Sequence, residues 1–338
     1  MKKLLLNSKF VSLYITMALF FILFAAGSVK YPGFFSLQTF LNLFIDNSFT
    51  IISAAGMTLV LIIGGIDISV GSVIALTCML SAYLLEIQHF NPISVLVLMV
   101  LMGAVFGLVQ GCLIHFFNMQ PFIVTLSGLF FARGMTAVIS TDTINIKNKV
   151  YAGIANYRIY ILGKSFISIG VVITLVVILV AIYIAHYTKF GRAAYAIGGS
   201  EQSALLMGLP VGRTKVLVYT FSGTCNAIAG IVFSFYTLSG YTLHAQGAEM
   251  DAIASAVIGG TFLTGGVGYI FGTVFGVLTQ GIIQTLIMFQ GTLSSWWTKI
   301  AVALLLCLFI VIQRLLALRR ETRKTSKGAG KGIKTTSV

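Results

Sequence analysis

The chain has 338 residues, of which 58% are hydrophobic and only 9% charged, with a mean hydropathy of +1.00. That leaves too little polar surface to cover a soluble globule and describes an integral membrane protein built as one polytopic domain. The net charge of +14 does not indicate nucleic acid, because the basic residues sit in the ends and loops rather than on an aromatic-interleaved face.

A first span is expected at about 10–27, behind Lys2, Lys3 and Lys9. A cleaved signal peptide has similar features, but its apolar core usually runs roughly 7 to 15 residues, so a retained helix is preferred. Residues 31–46 open on a Pro32-Gly33 turn and carry Phe34, Phe35, Leu37, Phe40, Leu41 and Phe44, a pattern expected of a helix lying in the membrane interface. Further spans are expected at about 47–63, 69–85, 93–116, 120–140, 166–186, 214–239, 250–262, 267–289 and 297–317. The eighth is short and Gly-interrupted, which suits a broken or re-entrant segment.

Ten spans with the N-terminus inside place 15 basic residues on the inner side and 5 on the outer side, with Arg133 and Lys299 within or beside spans. This bias favours both termini in the cytoplasm. The chain then divides into a cytoplasmic N-terminus (1–9), a transmembrane body (10–317) and a basic cytoplasmic tail (318–338). The longest inner connection, 187–216, is polar and Gly-rich. Within it a short helix from about Glu201 to Met207, capped by Ser200 and ended before Gly208-Leu209-Pro210, would present an amphipathic knob to a soluble partner.

Gly103, Gly107 and Gly111 repeat at four-residue spacing, as do Gly268, Gly272 and Gly276, each 165 residues later. Small residues on one stripe let helices pack closely in lipid, and the match suggests an inverted repeat, with chance as its rival among 35 glycines. Two further Gly-rich breaks interrupt apolar runs, IIGGIDISVGS at 62–72 and VIGGTFLTGGVG at 257–268. Their offset of 195 disagrees with 165, so they are not simple counterparts. Unwound backbone at membrane depth needs protein or a water-filled cavity to satisfy it, so Gly64, Gly65, Gly71, Gly259 and Gly260 are expected to line a pathway.

Asp67 lies in the first break, where an ionised carboxylate costs roughly 2.5–3.5 kcal/mol without a partner or water. Three readings stand: an N-cap of the third span, contact with a transported molecule, or a place near the docking face. Arg133 is read as binding a transported molecule's hydroxyls, pairing with a neighbouring segment or snorkelling outward. His115, His186 and His244 fall near span ends. Cys78, Cys112, Cys225 and Cys307 show no metal-ligand or disulfide spacing and are expected as small buried hydrophobes.

Catalytic motifs are missing. Gly163-Lys164-Ser165 imitates the end of a phosphate loop, but Arg158 stands where its first glycine belongs, so this chain is not expected to hydrolyse ATP. Nor does TFSGT around Ser222 form a nucleophile elbow.

GMTLVLIIGGIDISVGSVIAL at 56–76, PFIVTLSGLFFARGM at 121–135, YAIGGSEQSALLMGL at 195–209 and AIASAVIGGTFLTGGVGYIFGT at 252–273 resemble the permease subunits of bacterial ATP-binding-cassette importers for monosaccharides, in the ribose, xylose, arabinose and galactose branch. The likeness runs from about 45 to 315. DAIASAVIGG and GTLSSWWTKIAVALLL at 291–306 look closest to a permease of a galactofuranose importer. The resemblance implies an all-α, type II importer fold of about ten helices in the bacterial inner membrane. It further implies a second permease subunit, identical or paralogous, two ATPase subunits that bind ATP-Mg, a periplasmic sugar-binding protein, and no cofactor in this chain. On it, 194–209 corresponds to the coupling helix, with Ala194, Gly198 and Gly199 at its entry and Ala204, Leu205 and Leu206 packing into the ATPase.

Alternating access by a rocking bundle is the mechanism expected. A neutral sugar suits a pathway with few charges, and Asn47, Asp67, Thr77, Ser127, Arg133 and Asn226 are its candidate contacts. Trp296 and Trp297 suit either sugar stacking or interfacial anchoring. An ion-coupled secondary transporter remains an alternative, but it would usually place paired acids in its spans, as would a membrane-embedded enzyme its nucleophile and base. Bulky replacements at Gly198 and Gly199 are expected to fold yet uncouple, and Asp67→Asn to insert yet transport slowly.

Overall fold

A computed structural model describes residues 11–162, 165–291, 294 and 296–311 of the chain. The helices, in order, are α1 (Val11–Lys30), α2 (Leu37–Ile62), α3 (Val70–Glu86), α4 (Pro92–Phe116), α5 (Pro121–Ile139), α6 (Lys149–Ala155), α7 (Ile169–Tyr187), α8 (Lys189–Gly199), α9 (Glu201–Leu206), α10 (Val211–Thr237), α11 (Ala248–Ile258), α12 (Ile270–Gln290) and α13 (Trp296–Val311). Four short strands, β1 (Ile144–Asn145), β2 (Arg158–Leu162), β3 (Ser165–Ser168) and β4 (Ser239–Gly240), pair antiparallel as β1 with β4 and β2 with β3. Seven helices are long and apolar enough to cross a membrane, and α3 and α13 are shorter apolar helices.

Each expected span corresponds to a helix. The eighth, α11, has 11 residues and so extends only about 16 Å, half of a bilayer core. The expected interfacial helix at 31–46 is not a separate element. Ser36 caps the chain by accepting from Thr39 N at 3.1 Å, and α2 then runs 26 residues without a break, since no Gly or Pro interrupts it before Gly56. The N-terminal residues 1–9, Gly163-Lys164 and the tail lie outside the described residues.

The core sits around α2 and α10. Every residue from Thr50 to Ile62 is buried, and α10 closes over it with Ser222, Cys225, Asn226 and Ala229. The glycine stripes explain how the helices approach. Gly103, Gly107 and Gly111 of α4 lie against the α10 backbone at Gly223, Tyr219 and Val216, whereas Gly272 and Gly276 of α12 lie against Gly259 and Ser255. Gly268 precedes α12 and meets Thr261 and Ile62. The two stripes run in opposite directions, as expected, but they meet different partners, so matched spacing is not matched packing.

The bundle has two distinct ends. At one, Glu86 at the end of α3 accepts from Lys147 N and Asn148 N, both at 2.7 Å, beside the strand pairs. At the other lie α8 and α9, the ends of α2 and α4, and the starts of α5 and α12. Cys78 and Cys225 are buried as expected; Cys112 is only partly covered and Cys307 is exposed, because α4 and α13 are outer helices.

Candidate functional site

The end that carries α8 and α9 is a joint of three backbone segments. Helix α8 was hidden in sequence by its glycines. Thr188 caps it, accepting from Gly191 N at 3.1 Å, and Gly191 is required because a Cβ there would overlap the Ala185 carbonyl. Near its far end, Gly198 abuts the Ile62 carbonyl and Gly266 N, while Gly266 N itself donates to Ile62 O at 2.8 Å. Tyr195 Oη donates to Gly268 O at 2.7 Å, and burial raises the pKa of that phenol. Both sequence breaks therefore meet each other and α8 at one point.

Helix α9 matches expectation closely: Ser200 Oγ accepts from Ser203 N at 3.3 Å, and Gly208 closes the turn at φ +72°. Leu205 and Leu206 project, with 56% and 90% exposure. Ala194 and Ala204 are both fully buried, Ala204 against Ile197 and Val211, so they pack within this chain and offer no surface to a partner. The expectation that bulky groups are tolerated at Gly198 is overturned by its contact with two backbones; Gly199 has open space.

Asp67 is enclosed, 1% exposed, in the first break. Its Oδ1 accepts from Ser69 N at 3.0 Å and Ser69 Oγ at 2.6 Å, and its Oδ2 from Ser222 Oγ at 2.8 Å and Asn226 Nδ2 at 3.3 Å. Gln110 Nε2 extends the network to Ser69 Oγ at 3.0 Å. Asp67 thus ties the break to α10 and, through Ser69, to α4. It is not the N-cap of α3, a place Ser69 takes, but closes an Asx-type turn just before it. Neither Asp67 nor fully buried Asn226 can touch a passing molecule here.

The other expected contacts also separate. Arg133 donates through Nη1 to the carbonyls of Thr242 and His244, the latter at 2.9 Å, and so holds the loop leading to α11. Ser127 faces outward on α5 with its hydroxyl on Ile123 O, and Thr77 is buried against Gly230. The break glycines pack against protein, Gly64 excepted, which is exposed. Gly65 packs on Tyr219, Gly71 on Ala245 and Glu249, and Gly259 on Gly272, while Gly64 and Gly260 supply φ of +78° and +99°. The backbone N–H groups of Gly64, Gly65, Gly259 and Gly260 donate to the carbonyls of Leu61, Val60, Ser255 and Val257.

A polar cavity of about 540 Å³ lies elsewhere, among α2, α10, α11, α12 and α13. Of the expected contacts, Asn47 lines it, held by its own bond to Leu43 O at 2.9 Å, as does Trp296. Gly281 allows the approach, since a Cβ there would strike the Asn47 amide. Around Asn47 the cavity gathers Asp46, Asp251, Gln280, Gln284, Trp296 and Lys299. Lys299 Nζ bridges the Asp251 carboxylate at 2.7 and 2.9 Å, half-exposed, so the pair orients rather than stabilises. Asp251 sits in the first turn of the half-helix α11, where the helix dipole favours it. Two acids against one base, several amides and an indole face suit a neutral, hydroxyl-rich ligand. Sequence reading missed Asp46, Asp251, Gln280 and Gln284. The available signal was polar side chains inside apolar spans, with Gln280 and Gln284 at i, i+4 on one face.

The family model described as the branched-chain amino acid transport system permease component matches residues 39–312. The chain belongs to this permease family. It is a multi-pass membrane transport protein and not an enzyme. The inner membrane ABC transporter permease protein YjfF of Escherichia coli is 44% identical over 93% of this chain and 95% of its own length. The fructose import permease protein FruG of Bifidobacterium longum is 40% identical over 91% and 92%, and the ribose import permease protein RbsC of Bacillus subtilis 35% identical over 87% and 90%. No solved structure matches the chain.

Proposed function

We propose that this permease is the membrane-spanning subunit of an ATP-driven importer that carries a monosaccharide across the bacterial inner membrane, with the α8–α9 end in the cytoplasm. A second permease, a pair of ATPase subunits that bind ATP-Mg, and an external sugar-binding protein complete the assembly. The carrying observation is the cavity of about 540 Å³ lined by amides, carboxylates and Trp296 inside an otherwise apolar bundle. Its volume lies within the usual range for small-ligand sites. Relatives named for fructose, ribose and allose import support the sugar class.

The joint supplies the coupling. A push on exposed Leu205 and Leu206 reaches Gly198, which bears directly on Ile62 at the end of α2 and Gly266 before α12. Those two helices carry Asn47 and Gln280, both of which line the cavity. Closing the ATPases would thus shift one wall against the other through backbone contacts, the rigid route that alternating access needs.

The test is ATP hydrolysis by the reconstituted complex with its binding protein, across galactofuranose, ribose, fructose, allose and leucine. Stimulation by one sugar is expected. Stimulation by leucine alone would support the amino-acid reading that the family description favours. Uptake driven by an ion gradient without any ATPase would overturn the proposal.

A further inference from the structure

A second cavity, of about 600 Å³, opens at the α8–α9 end between the starts of α8 and α10. Its rim carries Lys189, Arg192 and Arg213, all exposed, and its floor is apolar, with Phe190, Leu209 and Leu217. None of the three cations has an acid partner among the described residues. The ion pairs among the described residues are Lys215–Glu201 and Lys299–Asp251, so the nearby carboxylate of Glu201 is already spent on Lys215 at 2.7 Å. Arg192 leans toward the end of α7, donating to Tyr187 O at 3.3 Å.

The level of the cavity in the membrane follows from α7. Tyr183 and Tyr187 are 63% and 70% exposed, and their rings stack 6.0 Å apart at the last turn of an apolar helix. Exposed aromatic pairs at a span end mark the membrane–water boundary. Leu217, 41% exposed on α10, continues the apolar floor toward the hydrocarbon.

We propose that this cavity binds an anionic phospholipid. The phosphate and its headgroup sit among Lys189, Arg192 and Arg213, and the root of an acyl chain lies over Phe190 and Leu217. Basic pockets between spans at the headgroup level hold acidic lipid through this complementarity, whereas a zwitterionic lipid brings no net negative charge to the three cations. Since α8 leads directly into the joint at Gly198, an occupied cavity would brace the base of the coupling element against α10.

The test uses the assembled complex, extracted with mild detergent from nanodiscs of phosphatidylcholine containing stepped fractions of phosphatidylglycerol, with retained lipid counted per permease. Wild type is expected to retain phosphatidylglycerol over phosphatidylcholine. Lys189→Gln, Arg192→Gln and Arg213→Gln should each weaken retention about fivefold, and the triple variant about a hundredfold. All three side chains are exposed, so the single variants read the site even if the triple variant assembles poorly. Leu217→Trp, which fills the floor and keeps every charge, should also lower retention, and Lys215→Gln should not. Unchanged phosphatidylglycerol retention in the single variants would overturn the proposal. So would loss of the ATPase subunits with lipid still bound, which would assign the cations to the protein partner.

Discussion

Replacing Gly198 with alanine should damage the transporter in a way that the same change at Gly199 does not. A Cβ at 198 would stand 2.5 Å from Gly266 N and 2.9 Å from the Ile62 carbonyl carbon, and closer still to Ile62 O. Both neighbours are backbone, so they cannot rotate away. Overpacking of this kind costs about 1–3 kcal/mol. Parting Gly266 N from Ile62 O leaves a buried donor unmet for about another 1–3 kcal/mol, while alanine returns about 0.5–1 kcal/mol of helix propensity. The net expectation is a loss of about 3 kcal/mol. Gly199 has no atom within 4 Å of its would-be Cβ, so Gly199→Ala should be neutral or slightly stabilising. Denaturant unfolding in mixed micelles gives the stability difference, and sugar moved per ATP hydrolysed gives the coupling. Equal stability and equal coupling for the two variants would refute the tight joint.

Asp67→Asn puts an amide where two donors, Ser222 Oγ and Asn226 Nδ2, now meet a carboxylate, and should cost about 3–5 kcal/mol while slowing transport. Normal stability in the same unfolding assay would contradict the network. Lys299→Met removes a half-exposed partner of Asp251, so stability should change by less than about 1 kcal/mol. The KM for the sugar should rise about tenfold, as expected for loss of one hydrogen bond to a charged group, and an unchanged KM would place the substrate elsewhere. Leu206→Glu, at 90% exposure, should leave folding within about 0.5 kcal/mol yet prevent co-purification of the ATPase; intact co-purification would move the docking surface off α9.

What could be read in advance was local. Ser200, Gly208 and Pro210 delimit α9 because caps act within one turn, and the breaks announced themselves through glycines in apolar runs. What stayed hidden was assembled from distant chain. Asp67 reads as functional in isolation, and only the fold brings Ser222 and Asn226, 155 and 159 residues away, to satisfy it. The cavity takes one to three polar side chains from each of five helices, and no single window stands out. An interfacial helix at 31–46 does not form because Phe40 and Phe44 pack toward the core from a longer helix, Phe40 against both Phe44 and Phe24.

The two breaks meet at one joint, yet they are built for different work. The first is pinned: Asp67 fastens it with four hydrogen bonds, and Thr125 Oγ1 adds a contact to Ile66 O at 3.3 Å. The second carries no charged group and turns on Gly260, Gly265 and Gly266 at positive φ; Tyr195 Oη and the Gly266 N bond to Ile62 O tie it to its neighbours, and Leu263 and Thr264 are exposed at its tip. A push through Gly198 should therefore be taken up between α11 and α12, moving Asp251 and Gln280 against a static wall of α2 and α10. Amide exchange decides this. Backbone protons of 259–268 should exchange faster than those of 63–69 in the resting complex, and the gap should narrow when nucleotide holds the ATPases closed. Equal protection of the two breaks, or faster exchange in the first, would place the hinge on the side that Asp67 holds and reverse the assignment of moving and fixed walls.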